Sequence, residues 1–424
     1  MNAGLIVFVL LVVLSFLGLP IFLAIGVGTM VALAAAGFPL EAVVQKTFLG
    51  LNSASLLSIP FFILSGNLMA RGITQKLINV ANVFLGRVRG SLGAVTILAS
   101  ALFGAISGSA VATVAAIGGM TIPAMEKEGY DSNYAAALAS SASLLGPMIP
   151  PSISLIVYSS LTDSSVQKLF MATAVPAILC TILFLIYSLY YGKKHNLPKQ
   201  PKKTGREIAF TLRDSIWALL MPILVLGSIF SGICTVTEAA AISAVYSAVI
   251  GMFVYKTITV KDLMNVLYDS AVSIAAIMIL VGLSKASSYV VIASQLPQAF
   301  MSFMTNLTSS KFVVLLIINI IFLILGCLME GNSIIVMMVP LMLNLIQAFN
   351  VDLIQFGIIA CVNIYIGCIT PPVGVSLLVG TKIGHTSMGA TFKACLPFLA
   401  ISLVILMLIT YIPSFSLWLP SVLG

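Results

Sequence analysis

Gly146-Pro147-Met148-Ile149-Pro150-Pro151-Ser152 interrupts one long apolar segment of this chain, and Gly367-Cys368-Ile369-Thr370-Pro371-Pro372-Val373-Gly374 interrupts another at the matching place in the second half. Proline lacks a backbone donor and clashes with the preceding turn, so each pair breaks a helix near its middle. Carbonyls and amides freed by such a break find no partner in lipid. The break therefore survives only where it is buried in protein or lines a solute cavity. Upstream of each pair a small polar cluster interrupts another apolar stretch: Ser107-Gly108-Ser109 before the first and Glu330-Gly331-Asn332-Ser333 before the second. Ser109 precedes Pro150 by 41 residues and Ser333 precedes Pro371 by 38, so the two halves carry the same arrangement. Interrupted segments in corresponding positions of two halves point to the midplane binding site of a secondary transporter.

Composition agrees with a polytopic membrane protein. Of the 424 residues 60% are hydrophobic and only 8% charged, with a mean hydropathy of +1.17, so most of the chain must face lipid or bury itself in a bundle. The first Lys or Arg is Lys46. The apolar N-terminus thus lacks the basic region of a cleaved signal and reads as a retained membrane segment. The net charge of +8 requires no nucleic-acid partner, because it gathers in short loops, chiefly from Lys193 and Lys194 through Lys199, Lys202, Lys203, Arg206 and Arg213, as a cytoplasmic loop demands. Cys180, Cys234, Cys327, Cys361, Cys368 and Cys395 lie in or beside apolar segments without metal-type spacing. They read as small hydrophobes.

The apolar segments are 3–36, 53–69, 91–125, 132–161, 169–191, 215–229, 232–254, 270–289, 312–349, 354–380 and 396–413. The first is either one long helix or two short ones meeting at Pro20. With the basic loop 192–213 in the cytoplasm, Arg71, Lys76, Arg87 and Arg89 fall inside as well, provided that 91–125 enters and leaves by one face. The uncharged stretch 290–310 then lies outside, and 312–349 enters from outside and returns there. Two halves of opposite orientation follow, 1–191 and 214–424, joined by the 192–213 linker. Segments 38–50 and 257–269 mix charge with apolar residues at helical spacing and read either as paired interfacial arms or as ordinary connecting helices.

The strings Ser107 to Gly118, Gly146 to Ile153, Gly232 to Ala241 and Thr370 to Gly374 resemble the large membrane subunit of tripartite ATP-independent periplasmic (TRAP) transporters, the DctM-like family, and the likeness covers essentially the whole chain. The resemblance implies an all-α polytopic fold of inverted-repeat elevator type, with re-entrant hairpins at 91–125 and 312–349 and broken helices at 132–161 and 354–380. It implies sodium-coupled import of an organic anion across the bacterial inner membrane, with Na+ as coupling ion and no other cofactor. Two partners are implied: a small four-helix membrane subunit and a periplasmic substrate-binding protein.

Carried over motif by motif, the resemblance puts a first sodium site at Ser107, Ser109, Gly146, Pro147 and Pro150, and a second at Glu330, Gly331, Asn332, Ser333, Gly367, Thr370 and Pro371. Ser109, Ser152, Asn332 and Lys285 become candidates for contact with the solute. The chain departs from the family where Thr113 stands for a frequent Asp, and where Glu330-Gly331 stands for a frequent Asp-Pro. Glu238 matches a family motif, but Thr235-Val236-Thr237-Glu238 also has capping-box spacing and is read as a cap. Lys285 reads equally as an anion contact or as a side chain snorkelling to the interface.

An intramembrane serine protease would need a base near its nucleophile, and His195 and His385 both fall in loops. No catalysis is expected. A stand-alone sodium–carboxylate carrier of the same architecture remains the alternative, since obligatory partners leave no motif, and the solute itself is not legible.

Overall fold

The computed structural model of the chain describes residues 2–199 and 204–423, so Lys202 and Lys203 of the basic linker lie outside the described residues. Every regular element among these residues is helical. Polar residues placed just before apolar runs set the helix starts. Asp131, Ser165, Asp352 and Ser387 each accept a backbone hydrogen bond at an N-terminus, and Thr204, Thr235 and Thr259 form full capping boxes with Glu207, Glu238 and Asp262. Each satisfies donors that a helix end leaves unpaired. The reading of Glu238 as a cap holds: its carboxylate accepts from the Thr235 amide at 2.8 Å.

The apolar stretch 3–36 is two helices, Ala3–Phe16 and Ile21–Ala35, that fold back on each other at Gly18 to Pro20. Gly18 sits at φ +87°, a conformation open to glycine at little cost. Segment 38–50 is a separate helix, Glu41–Leu51, whereas 257–269 merges into the 34-residue helix Val260–Ala293. At 1.5 Å per residue that helix runs about 51 Å, well beyond the ~30 Å hydrocarbon layer. Its charged first turns, where Asp262 and Asp269 pair with Arg71, thus extend past the apolar zone. Charge at both ends of 192–213 is helical, because one helix continues to Lys194 and the next begins at Gly205. Three helices lie outside the stretches read as apolar segments, Thr74–Leu85 and Leu296–Leu307 in connections and Pro413–Leu423 in the tail.

Two helical hairpins and two broken helices occupy the middle of the molecule. The first hairpin comprises Ser91–Ser107 and an arm running from Ala110 to Lys127 through a wide turn at Val114–Gly118; the second comprises Lys311–Leu328 and Gly331–Ala348. The feet of each hairpin lie together. The Gly93 amide donates to the Tyr130 hydroxyl at 3.1 Å, and the Lys311 ammonium donates to the Asn350 carbonyl at 2.7 Å. One broken helix is Ser132–Met148 followed by Ile153–Thr162, bent by 41°; the other is Leu353–Gly367 followed by Val375–Ile383. Both Pro150-Pro151 and Pro371-Pro372 are cis.

Glycines let each hairpin touch its break backbone to backbone. A Cβ on Gly104 would come 2.5 Å from Gly146 Cα, and one on Gly326 would come 3.1 Å from Gly367 Cα. Small residues of this kind are how membrane helices approach closely when no hydrophobic force separates protein from lipid. Around this centre, Val166–Lys194 and Met388–Tyr411 pack on the hairpins and broken helices, while Ala3–Phe16, Ile21–Ala35, Glu41–Leu51, Ser58–Gly72, Val236–Val249 and Val260–Ala293 pack mainly on one another as a framework. Buried amides pin the centre together. Asn363 donates to Asn319 at 2.8 Å, Asn319 to Thr410 at 3.0 Å, and Gln355 to the Ile409 carbonyl at 3.0 Å.

The glycine contacts give a direct test. Gly367→Val should destabilise the protein by about 1–3 kcal/mol through overpacking, whereas Gly119→Ala, with open space beyond its Cα, should change stability by less than about 0.5 kcal/mol. Thermal unfolding in detergent compares the two.

Candidate solute and ion site

A cavity of about 440 Å³ lies where both hairpin tips and both breaks converge on the framework. The tips contribute Gly108, Ser109, Ala110 and Val111 from one side, and Glu330, Gly331, Asn332 and Ser333 from the other. The breaks contribute Pro147, Ile153, Ser154, Cys368 and Val375, and the framework closes the cavity with Phe22, Ser273, Ile277 and Leu280.

Each tip is shaped by its own sequence. Gly108 turns the first at φ +60°, and the Pro151 carbonyl approaches so closely that no side chain fits there. The Ser109 hydroxyl caps the next arm by accepting from the Ala112 amide at 3.3 Å. Thr113 donates to the Ser109 carbonyl at 2.7 Å and lies 3.4 Å from the Ser107 hydroxyl. Thr113 thus ties the tip to itself with a neutral hydroxyl. At the second tip the Glu330 carboxylate caps its own helix, accepting from the Ser333 amide and hydroxyl, both at 3.2 Å, and from the Asn332 amide group at 2.9 Å.

The breaks differ in what they leave open. A proline at i+4 cannot donate to carbonyl i, so Pro150 and Pro151 strip the helical partners from Gly146 and Pro147, and Pro371 and Pro372 strip those from Gly367 and Cys368. In the second break those carbonyls are recaptured: Thr370 N–H donates to Gly367 at 2.9 Å, and Ser376 N–H donates to Cys368 at 3.0 Å. In the first, no backbone donor among the described residues reaches the carbonyl of Gly146 or Pro147. Both residues are buried, and Gly146 packs against the first tip, where its Cβ would meet Thr113 Oγ1 at 2.6 Å. Buried carbonyls without backbone donors, on a segment packed against the first tip, suit a hard monovalent cation.

Two hydrogen bonds tie the halves together at and behind the cavity wall. The Ser154 hydroxyl donates to Asn332 Oδ1 at 3.0 Å, and the hydroxyls of Ser152 and Tyr365 share a hydrogen bond of 2.8 Å. Sequence reasoning missed Ser154, Tyr365 and the framework wall. Ser154 follows Ser152 by two positions and Tyr365 precedes Gly367 by two, so proximity to the breaks was the available signal.

Of the expected site residues, Ser109, Pro147, Glu330, Gly331, Asn332 and Ser333 line the cavity. Ser107, Gly146, Pro150, Gly367, Thr370 and Pro371 stand behind that lining in the tips and breaks, and Ser152 lies behind it on Tyr365. Lys285 is not brought to it. Its ammonium donates to the Ser160 carbonyl near the end of Ile153–Thr162, and its stem lies against Gly50.

The fold and cavity define a multi-pass membrane transport protein. Residues 6–415 match the family described as tripartite ATP-independent periplasmic transporter, DctM component. The chain is 40% identical to the C4-dicarboxylate TRAP transporter large permease protein DctM of Pseudomonas aeruginosa, over 87% of each chain. It is 34% identical to the sialic acid TRAP transporter large permease protein SiaM of Vibrio cholerae, over 89% of this chain and 88% of the other. It is also 35% identical to the isethionate TRAP transporter permease protein DctMQ of Oleidesulfovibrio alaskensis, over 95% of this chain and 64% of that longer one. In fold it is similar to the Alcanivorax borkumensis YdaH transporter, with a TM-score of 0.64 at 16% identity over 89% of this chain and 88% of that one. This chain belongs to the DctM family of TRAP transporter large permeases.

The bonds between the halves can be measured. In a double-mutant cycle, Ser152→Ala with Tyr365→Phe should show a stabilising coupling of about 0.6 kcal/mol, and no more than about 1.7, as found between membrane helices. Unfolding in mixed micelles supplies the four stabilities, and a coupling of zero would mean that the two hydroxyls do not meet.

Proposed function

We propose that this chain is the permease of a sodium-coupled importer for a small organic anion, working by an elevator movement in the bacterial inner membrane. One observation carries the reading: four helix N-termini, at Ala110, Ile153, Gly331 and Val375, converge on the same cavity. Each presents the positive end of a helix dipole, although some of their first-turn amides are engaged by Ser109, Glu330 and the Cys368 carbonyl, so together they favour an anionic group at depth in the membrane. Glu330 is the one carboxylate in the lining. C4-dicarboxylates, sialic acid and isethionate, the solutes for which the relatives are named, are all organic anions, and a cavity of about 440 Å³ accommodates molecules of that size.

The hairpins enter from opposite faces and return, and 1–191 and 214–424 form an inverted repeat. Supporting this, each tip meets its break halfway along the broken helix while the hairpin feet lie together. Sodium would be held at the first break by the carbonyls of Gly146 and Pro147 with Ser107 and Ser109, and at the second tip by Glu330, Asn332 and Ser333 near Thr370. Its positive charge there strengthens the attraction for an anion. The cavity has the hairpins and breaks on one side and framework helices on the other, as a site does when one body carries it past a stationary one. A small four-helix subunit and a periplasmic binding protein complete the system.

Uptake into proteoliposomes holding the chain with both partners should rise sigmoidally with sodium and vanish when potassium replaces it. Undiminished uptake in potassium would refute sodium coupling, and full uptake without the binding protein would identify a stand-alone carrier. Ser109→Leu and Asn332→Leu should each lower sodium-driven uptake at least about tenfold while leaving assembly with the small subunit intact. For orientation, a cysteine at Lys194 should resist impermeant thiol reagents in intact cells and one at Asn306 should react; the reverse pattern would invert the topology.

A further inference from the structure

At the foot of the first hairpin, a second concavity of about 370 Å³ is lined by Arg87, Val88, Arg89, Leu189, Lys193 and Lys199. Four of its six lining residues are cations and none is acidic. A bias toward Lys and Arg in cytoplasmic loops explains basic residues, but not their enclosure around one hollow. The hollow is held open by contacts distant in sequence. The Gly90 amide donates to the Pro198 carbonyl at 3.2 Å, Arg89 donates to Asn196 at 2.8 Å, and a Cβ on Gly192 would come 2.6 Å from Gly90 Cα. Among the described residues, Arg87, Lys193 and Lys199 form no ion pair. Asp131, nearby in the fold, is engaged instead as the cap of its own helix at Tyr134.

Apolar surface leads up to the hollow. On the helix Val166–Lys194, Ile182, Ile186, Leu189 and Lys193 recur at the spacing of one face, and Ile182 and Ile186 are 46% and 58% exposed. An apolar stripe exposed on a membrane helix is an acyl-chain surface, and here it ends in a cluster of cations of which Arg87, Lys193 and Lys199 form no ion pair among the described residues.

We propose that this hollow binds the headgroup phosphate of an anionic phospholipid of the adjoining leaflet, with the acyl chains laid along Ile182 and Ile186. Arg87 and Lys193 contact the phosphate. Arg89, already positioned by Asn196, and Lys199 close the sides. Basic pockets between membrane helices recognise anionic headgroups in this way, and guanidinium suits a phosphate geometrically. The site ties the entry of the first hairpin to the end of the long helix beside it, so bound lipid clamps two segments that otherwise meet through few side-chain bonds.

The full chain purified in neutral detergent provides the test, by native mass spectrometry and lipid-dependent thermal unfolding with phosphatidylglycerol, phosphatidylcholine or inorganic phosphate as probes. Phosphatidylglycerol should be retained at least about tenfold more than phosphatidylcholine and should raise the melting temperature, with the preference weakening in high salt. Arg87→Gln with Lys193→Gln should reduce phosphatidylglycerol retention to the phosphatidylcholine level while leaving the lipid-free melting temperature unchanged. Lys256→Gln with Lys261→Gln, two cations removed elsewhere, should leave it intact. Equal retention in the two double variants would overturn the proposal. So would protection by inorganic phosphate equal to that by phosphatidylglycerol, which would make the hollow a soluble-anion site.

Discussion

Inside a bilayer a backbone carbonyl or amide without a partner costs several kcal/mol, and the architecture of this protein is arranged around the places where that rule is strained. Two proline pairs remove helical donors from four carbonyls. Gly367 regains a partner from Thr370 within the break and Cys368 from Ser376 just beyond it, whereas Gly146 and Pro147 stay open and buried. The glycines at 104, 146, 326 and 367 bring hairpin and break into backbone contact, and the Asn319, Asn363 and Thr410 chain pins the helices behind them.

Thr113 and Glu330 give the two tips different electrostatics. Thr113 supplies a donor to the Ser109 carbonyl where a carboxylate would supply only acceptors, so the first tip carries no negative charge of its own. Glu330 keeps a carboxylate at the second tip and spends its acceptors on Asn332 and Ser333. The cavity is therefore electrostatically lopsided: neutral oxygens on one side, one carboxylate on the other, and helix N-termini pointing in from both. The proposed transport of an anion with a cation would suit such a field, because each charge lowers the cost of desolvating the other.

Much was legible in the residue string because membranes enforce strong rules. Apolar runs and proline pairs marked where helices lie and where two of them break, although Gly205–Phe230 and Val260–Ala293 each begin ten residues before the apolar segments 215–229 and 270–289 that marked them. Some short helices were not legible: Leu296–Leu307 carries no charge to mark it, and Pro413–Leu423 follows directly on the apolar segment 396–413. Nor did residues 257–269 betray that they are the first turns of a 34-residue helix, since a capping box at Thr259 looks alike whether a short or a long helix follows.

The sequence by itself determined the class, the two interrupted segments and six of the cavity-lining residues, because a broken helix in lipid has few tolerable uses and polar residues beside it few tolerable places. Tertiary structure alone decided which groups meet. It put Ser154 on Asn332 and Ser152 on Tyr365, across separations of 178 and 213 residues, and it withdrew Lys285 from the cavity to the Ser160 carbonyl. The reason is that a polar atom's partner in a dry interior is whichever group packing brings within about 3 Å. Residue type states the need for a partner, and only the crossing of helices supplies it.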